Sequence, residues 1–598
     1  MPWRLWLPVL LLGLVLFLWR LGNSGLVDET PPLFAASARA MAETGDWLIP
    51  RVNGLPRYDK PPLVYWLMGL GYLLPGQEQW NPLGTWAARL PSALSCCGLM
   101  LLLADTLWRW PQQASPNGEP APSPLVAALA APLAFALSPL VLLWGRIAVS
   151  DALLCGLLAA SLLLCWRTYV HPRGLWWTPW PVLGLAVLTK GPVAVVLLVL
   201  TLLAFGWSQR DFAGLLRRLR PLRGLLIAAL VALPWYAAAL LSEGEPFWRS
   251  FFGYHNLQRF TAVVNDHLQP WWFFGPVLVV ASLPFTPLLL LGLGQALPLR
   301  SLLRSRPLPP EQSLGRFAAC WLLVVLLFFT LAATKLPSYW LPATPAAALL
   351  ITQAALSGWR GRASALAWCA TLALTLLLAA VYLAGPLWVP LIQDPELPSL
   401  PAGILASGRL PVAAACFALA ALLGWLLRRR RPPLALLAAQ LSLVLFVPFA
   451  LVPLWELGDR LRGQPVREMA ARVQQQPGGE PLAMVGILKP SLHYYARRVV
   501  VYEGQSPSAL VNLAERLRIE RRRGQEPSSR TQRPTVLVVI DQGTAGLAHW
   551  RGLAPEELGR SGLYRLWRLD RSQLERRAAQ LSAAGERPTW QLPRPERY

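Results

Sequence analysis

Charge is what this sequence has least of. Of its 598 residues only 14% are charged, while 55% are hydrophobic. Soluble domains carry about 25% charged residues, so a string of water-soluble domains is excluded. Lysine is rarer still. Among 55 basic residues only Lys60, Lys190, Lys335 and Lys489 are lysines, and arginine supplies the rest of a net charge of +24. In a soluble chain that excess would point to nucleic acid. Here the arginines fall between apolar runs, where the positive-inside rule puts them, and nucleic acid is not expected as a partner. Cysteines number seven. Cys96, Cys97, Cys155, Cys165, Cys320, Cys369 and Cys416 lie in or beside apolar runs, with no C-x-x-C pair and no histidine at metal-ligand spacing. That excludes a redox pair and a zinc–thiolate centre and leaves small packing residues.

What the chain has is apolar length. The spans read from it are 5–21, 86–108, 125–143, 152–166, 180–188, 193–205, 225–241, 271–297, 317–331, 340–356, 365–383, 411–427 and 434–454, about thirteen in all. The fifth is too short to cross without extension at its ends. The run 61–74 is also short and reads as an interfacial or re-entrant helix. No small-residue cleavage site follows the first run, so it is expected to stay as an uncleaved span. The fold class expected over 1–455 is therefore an all-α polytopic membrane protein. Residues 456–598 are polar and arginine-rich, with apolar runs at 482–487, 499–502 and 535–540 and helical amphipathic spacing over 507–523. Strands alternating with a helix predict a small soluble α/β domain. It holds no glycine-rich phosphate loop and no nucleophile motif, and it reads as an accessory domain.

Charge also sets the orientation. With the N-terminus inside, the basic stretches 210–223, 300–316 and 428–431 lie inside, and Asp28, Asp59, Asp151 and the C-terminal domain lie outside. Lys60, Lys190 and Lys335 fall on that same outer face. Three lysines against the positive-inside bias predict an anion site. The first external loop, 22–85, runs GNSGLVDETPP to YDKPPLVYW and concentrates charge, glycine, proline and aromatics.

Several residues there could carry chemistry. A carboxylate at the membrane surface, Asp28 with Glu29, can act as a general base toward an acceptor hydroxyl. Asp151, in GRIAVSDALL, is either a second acid or a helix N-cap. Arg259 and Lys335 could clamp a phosphate, with Tyr339 donating a hydrogen bond to it. His255 with Asp59 could bind a divalent metal ion; His267 lies in the same loop as His255. A transporter or lipid flippase would place charge deep within its spans and show inverted repeats. Here the polar groups gather on one face and no internal repeat is evident, which favours an enzyme.

The order DET, GDWLIPRVNG, YDKPPLVYW, GRIAVSDALL, LTKGP, YHNLQRF and KLPSYWLP resembles the bacterial GT-C glycosyltransferases. It is most similar to the aminoarabinose lipid A transferases and the protein mannosyltransferase-like relatives. The motifs run over about residues 1–345 and the layout to the C-terminus. The resemblance implies a sugar carried on a polyprenyl phosphate and moved, with inversion, to a lipid, glycan or protein acceptor. The site would face the extracytoplasmic side of the plasma (inner) membrane. It implies that Asp28 is the carboxylate at the acceptor and that Lys60 and Tyr339 meet the donor phosphate. Asp59 and His255 fall where the aminoarabinose transferases have a Glu and a His that can hold a metal, with Asp59 one methylene shorter. Pro31 stands where those enzymes tend to have an arginine.

Overall fold

The computed structural model describes residues 2–111, 123–171, 175–263, 268–297, 307–357, 361–428, 431–522 and 534–590. Each of the thirteen apolar runs is helical, but they are not thirteen unbroken spans. Among the described residues seven helices are long and apolar enough to cross a bilayer alone: Thr85–Arg109, Asp151–Val170, Pro221–Glu243, Leu314–Leu331, Arg362–Leu383, Arg409–Leu427 and Pro432–Gln475. An eighth crossing is made by Phe274–Ala281 and Thr286–Ala296 if the two, bent by 110°, count as one span. The shorter apolar helices include Trp3–Leu18, Leu63–Tyr72, Pro124–Ala136 and Val193–Gln209. This is a multi-pass membrane protein.

Proline explains several of the breaks within the thirteen runs. The run 125–143 looks continuous by composition, yet Pro139 opens a new helix after a break at Leu137 and Ser138. Proline has no N–H to extend the helix behind it. The 110° bend likewise falls at SLPF, and its freed carbonyls find partners. Ser138 Oγ donates to Ala281 O at 2.6 Å and Thr286 Oγ1 to Val279 O at 2.9 Å. A broken helix survives at membrane depth only when its backbone is satisfied in this way.

One apolar core unites the spans, with Phe17, Trp166, Trp180, Trp321, Trp340 and Trp368 fully buried. A second cluster packs the first loop onto it. That loop folds into the helix Thr30–Thr44, started by Pro31 and Pro32 in its first turn and closed by Gly45 at φ +75. Both are the residues those positions favour. A hairpin follows, Arg51–Val52 with Leu55–Pro56, turning on Asn53 at φ +54 and Gly54 at φ +80. Positive φ at both turn residues is the reason for the Asn-Gly pair. The helix Leu63–Tyr72 buries Val64, Tyr65 and Met68 in this cluster. Its buried face packs on the protein, while Leu70, Leu73 and Leu74 at its far end stay exposed.

The last span does not stop where its apolar residues end. The helix Val452–Gln475 carries it through a polar sequence into the C-terminal domain, so the division drawn at 455/456 falls inside a helix. The domain is a five-stranded sheet in the order Val500–Glu503, Leu482–Val485, Thr535–Asp541, Tyr564–Asp570, Glu556–Ser561. The first three strands are parallel and the last two antiparallel. Helix Val452–Gln475 and the short helix Ser491–Ala496 cover one face, and Pro507–Arg522 and Arg571–Ala583 the other. Helices on both faces of a mixed sheet make the α/β class expected, with two strands that sequence patterning missed.

Candidate active site

A cavity of about 410 Å³ opens where the first loop meets the spans. Its polar end is formed by Asp59, Lys60, Asp151, Lys190, His255, Arg259, Ser338 and Tyr339, and its other wall by Val193, Val196, Phe252, Phe260, Phe328 and Phe329. The motifs that stood apart in sequence meet here. YDKPP brings Asp59 and Lys60 to the head of helix Leu63–Tyr72. VSDALL puts Asp151 at the start of its span, and LTKGP puts Lys190 at the end of another. YHNLQ closes the π-helix Arg249–Gln258, a form frequent at functional sites, and Arg259 opens the helical turn Arg259–Thr261 that follows. KLPSYWLP is held as a 3₁₀ turn, Pro337–Ala343, which aims Ser338 and Tyr339 into the space.

The charges are paired and poised. Asp59 Oδ2 takes Arg57 Nη2 at 2.6 Å and lies 3.6 Å from Lys60 Nζ, while Tyr65 donates to Oδ1 at 3.2 Å. Burial alone would raise the Asp59 carboxyl, but Arg57, Lys60, His255 and Arg259 together hold it well below the carboxylate range. Burial lowers the Lys60 amine to about 8, with Asp59 holding it up and Arg259 and Lys190 pushing it down. His255 is lowered to about 3 by burial and by Lys60, so it is neutral at physiological pH. Asp151 Oδ1 accepts from Lys190 Nζ at 2.7 Å. Ser150, not Asp151, holds the cap position, so the capping alternative for Asp151 gives way to an ion pair at the cavity. Lys190 also stands 5.4 Å from the centre of the Tyr339 ring.

Of the nine residues singled out from sequence, the fold brings Asp59, Lys60, Asp151, His255, Arg259 and Tyr339 to this cavity. It does not bring Lys335, Asp28 or Glu29. Lys335 is buried beside it and donates to Ala332 O at 2.8 Å, while Lys190, which sequence reasoning noticed but did not choose, lines the wall. Lys335 turns back to its own backbone, and Lys190, at the end of helix Pro179–Lys190, reaches Asp151. Neither fact shows in a motif. His267 lies outside the described residues. Glu29 is exposed. Asp28 is half-buried against the C-terminal domain, its Oδ1 accepting from Ser491 N–H at 2.8 Å and its Oδ2 from Ser491 Oγ at 2.7 Å. Burial pushes its carboxyl up to about 6, against the Ser491 bonds and the nearby Lys489 and Arg462.

The pair expected to hold a metal does not fit one. His255 keeps a buried Nδ1 without a hydrogen-bond partner, which suits a ligand. Asp59 does not suit one, since Arg57 and Tyr65 occupy its two oxygens and Lys60 and Arg259 crowd it with positive charge. A divalent ion asks for about four to six donors, and among the described residues no group of three His, Cys, Asp or Glu is placed to supply them.

The domain that holds Asp28 grips the whole first loop. Asn53 pairs with the backbone of Val500 through two 2.8 Å bonds, as a further strand would. Asn53 N–H donates to His493 Nε2 at 3.0 Å and Leu26 N–H to Tyr495 Oη at 2.9 Å. Arg39 donates to Tyr494 O at 2.6 Å, and the Tyr72 and Tyr494 hydroxyls meet at 2.9 Å. The segment SLHYY at 491–495 makes most of these bonds. Its density of aromatics in an otherwise arginine-rich region is the one sequence signal that could have marked it.

The fold is that of the GT-C membrane glycosyltransferases. Crystal structures of ArnT from Cupriavidus metallidurans superpose with TM-scores of 0.75 for the form bound to undecaprenyl phosphate and 0.74 for the apo form. The first shares 23% identity and covers 94% of this chain and 97% of its own. In sequence, an undecaprenyl phosphate-alpha-4-amino-4-deoxy-L-arabinose arabinosyl transferase of Pseudomonas paraeruginosa is 32% identical over 354 residues, 58% of this chain. That match takes in 59% of the Pseudomonas paraeruginosa protein's length. A second such transferase, from Pseudomonas fluorescens, is 32% identical over 408 residues, 66% of this chain and 68% of its own length. The chain belongs to this family of arabinosyl transferases. Residues 474–585 match the C-terminal domain of cyanobacterial RgtA-type glycosyltransferases.

Proposed function

We propose that this protein transfers a sugar from a polyprenyl phosphate to an acceptor on the extracytoplasmic face of the plasma (inner) membrane. The observation that carries the reading is the cavity's division into a cationic end and an apolar wall. A phosphate fits the first and a polyprenyl chain the second. Lys60, Arg259 and Lys190 face the phosphate, and Tyr339 Oη donates to it. Asp59 and Asp151 keep the ammonium groups in place. The bond between the anomeric carbon and the phosphate oxygen breaks as the acceptor oxygen bonds that carbon from the opposite side, so the configuration inverts. The acceptor's proton passes to Asp28, which stands outside the cavity against the C-terminal domain and so meets an acceptor that enters from that side. The polyprenyl phosphate leaves as an anion. Cations fixed where that charge develops lower the barrier without reorganising, a contribution of about 3–4 kcal/mol per group. An acceptor that is itself a phosphate brings no proton, and Asp28 then orients it.

By the names of its relatives the sugar is 4-amino-4-deoxy-L-arabinose on undecaprenyl phosphate. The RgtA-type match of the C-terminal domain favours a second reading, in which the same donor lipid carries a different sugar. Purified protein in lipid, given a panel of undecaprenyl-phosphate sugars and mixed membrane acceptors, tests both. Transfer from the aminoarabinose donor by wild type and not by Asp28→Asn is the expected result; transfer from another sugar selects the second reading. An Asp28→Asn variant with full activity removes Asp28 from the mechanism.

A further inference from the structure

We propose that Ser491 is a positioning residue for Asp28, so that the C-terminal domain takes part in transfer by fixing the carboxylate that faces the acceptor. The proposal rests on Asp28 being that carboxylate, as argued above.

One residue binds both Asp28 oxygens, by its N–H at 2.8 Å and its hydroxyl at 2.7 Å. Two bonds from one rigid donor fix the plane of a carboxylate as well as its place. Ser491 itself is 1% exposed, so water does not compete for it. It follows strand Leu482–Val485, which is flanked by parallel strands on both sides and lies where the chain switches direction across the sheet. The crevice beyond the carboxyl ends of strands at such a switch is where open α/β sheets bind ligands. Here a side chain of the membrane part enters it.

The loop that carries Ser491 is braced along its length. Gly486 sits at φ +96 with its N–H on Glu503 O at 3.0 Å, and Asp541 and Thr544 fill the space a Cβ would need. Ile487 N–H donates to Asp541 Oδ2 at 3.0 Å. Lys489 is buried, and its Nζ meets Glu396 Oε2 at 2.8 Å, which Arg462 also approaches at 3.2 Å. The charged and titratable groups that bear on Asp28 are therefore Lys489 from the same loop, Arg462 from helix Val452–Gln475, and the Tyr502 and Tyr564 hydroxyls from the sheet. Glu396 partly neutralises the two cations. What remains to favour the charged form of Asp28 against its burial is chiefly Ser491. A misplacement of about 1 Å at such a group costs on the order of 10²-fold in rate.

The test compares full-length wild type, Ser491→Ala and Ser491→Thr in lipid, measuring kcat and the donor KM across pH. Loss of the hydroxyl removes a bond to the ionised form, so Asp28 holds its proton to higher pH. Ser491→Ala is expected to lower kcat about tenfold, to move the acidic limb of the kcat profile upward from about 6, and to leave the donor KM unchanged. Ser491→Thr is expected to restore both. A Ser491→Ala enzyme with wild-type kcat and an unmoved acidic limb overturns the proposal, and so does an equal loss at every pH that Thr does not rescue. An active Asp28→Asn enzyme overturns instead the reading of Asp28 on which it rests.

Discussion

Replacing Asp59 with Asn keeps the shape of the side chain and removes the charge on which the cavity's polar end is built. Arg57 is 3% exposed and its Nη2 lies 2.6 Å from Asp59 Oδ2, while its Nε donates to Tyr65 Oη at 3.1 Å. Breaking a buried pair by removing one ion costs up to about 3–5 kcal/mol, because the other stays buried without its counter-charge. A second effect falls on Lys60. Its amine sits at about 8 because burial lowers it and Asp59, the largest influence in the other direction, holds it up. An amine is charged below its pKa and neutral above it. In wild type the positive charge of Lys60, one of the cations at the phosphate end, is lost as pH rises through about 8; without Asp59 it is lost at a lower pH. A charge-assisted bond contributes about 1.5–3 kcal/mol, which is on the order of 10- to 150-fold in affinity. Asp59→Asn is therefore expected to melt earlier and to bind the polyprenyl-phosphate donor more weakly at neutral pH, with part of the affinity regained at lower pH. Thermal unfolding in lipid and donor titrations at several pH values measure both. A variant with unchanged melting and an unchanged pH dependence of donor affinity refutes the reasoning.

Two further expectations follow from the same geometry. Lys190→Ala removes a cation that lines the cavity and should lower kcat by about 10²–10³-fold, whereas Lys335→Ala, which loses a bond to the Ala332 carbonyl, should stay within about threefold; equal losses in the two would contradict the placement. Exhaustive chelation should leave transfer within about twofold of the untreated protein, since the Asp59 and His255 donor set is too small and too positive for a resident divalent ion; activity that is lost and then restored by added metal would overturn that argument.

Thirteen helical runs, a small α/β domain behind them and a charged first loop were legible in the sequence, because each depends on local composition and period. Where those runs break was not. An apolar run says that a segment belongs in the membrane, but whether it crosses unbroken depends on where proline interrupts it and on what satisfies the carbonyls it frees, as Ser138 and Thr286 do. The end of the last span escaped for the opposite reason. Val452–Gln475 is polar, and it continues the helix because the C-terminal sheet packs against Val466, Met469 and Val473.

The candidate site divides along the same line. Residue type and charge pointed to an anion site on one face, since lysines and acids this rare stand there against the positive-inside bias. Which lysine lines the cavity is decided by tertiary structure: Lys335 turns back on its own chain and Lys190 reaches Asp151. That Asp28 is held by Ser491, 463 residues away along the chain, could not be read from either segment. A side chain's identity and its local period are properties of sequence, while the partner that fixes its orientation and its charge state is a property of distance, and distance exists only once the chain is packed.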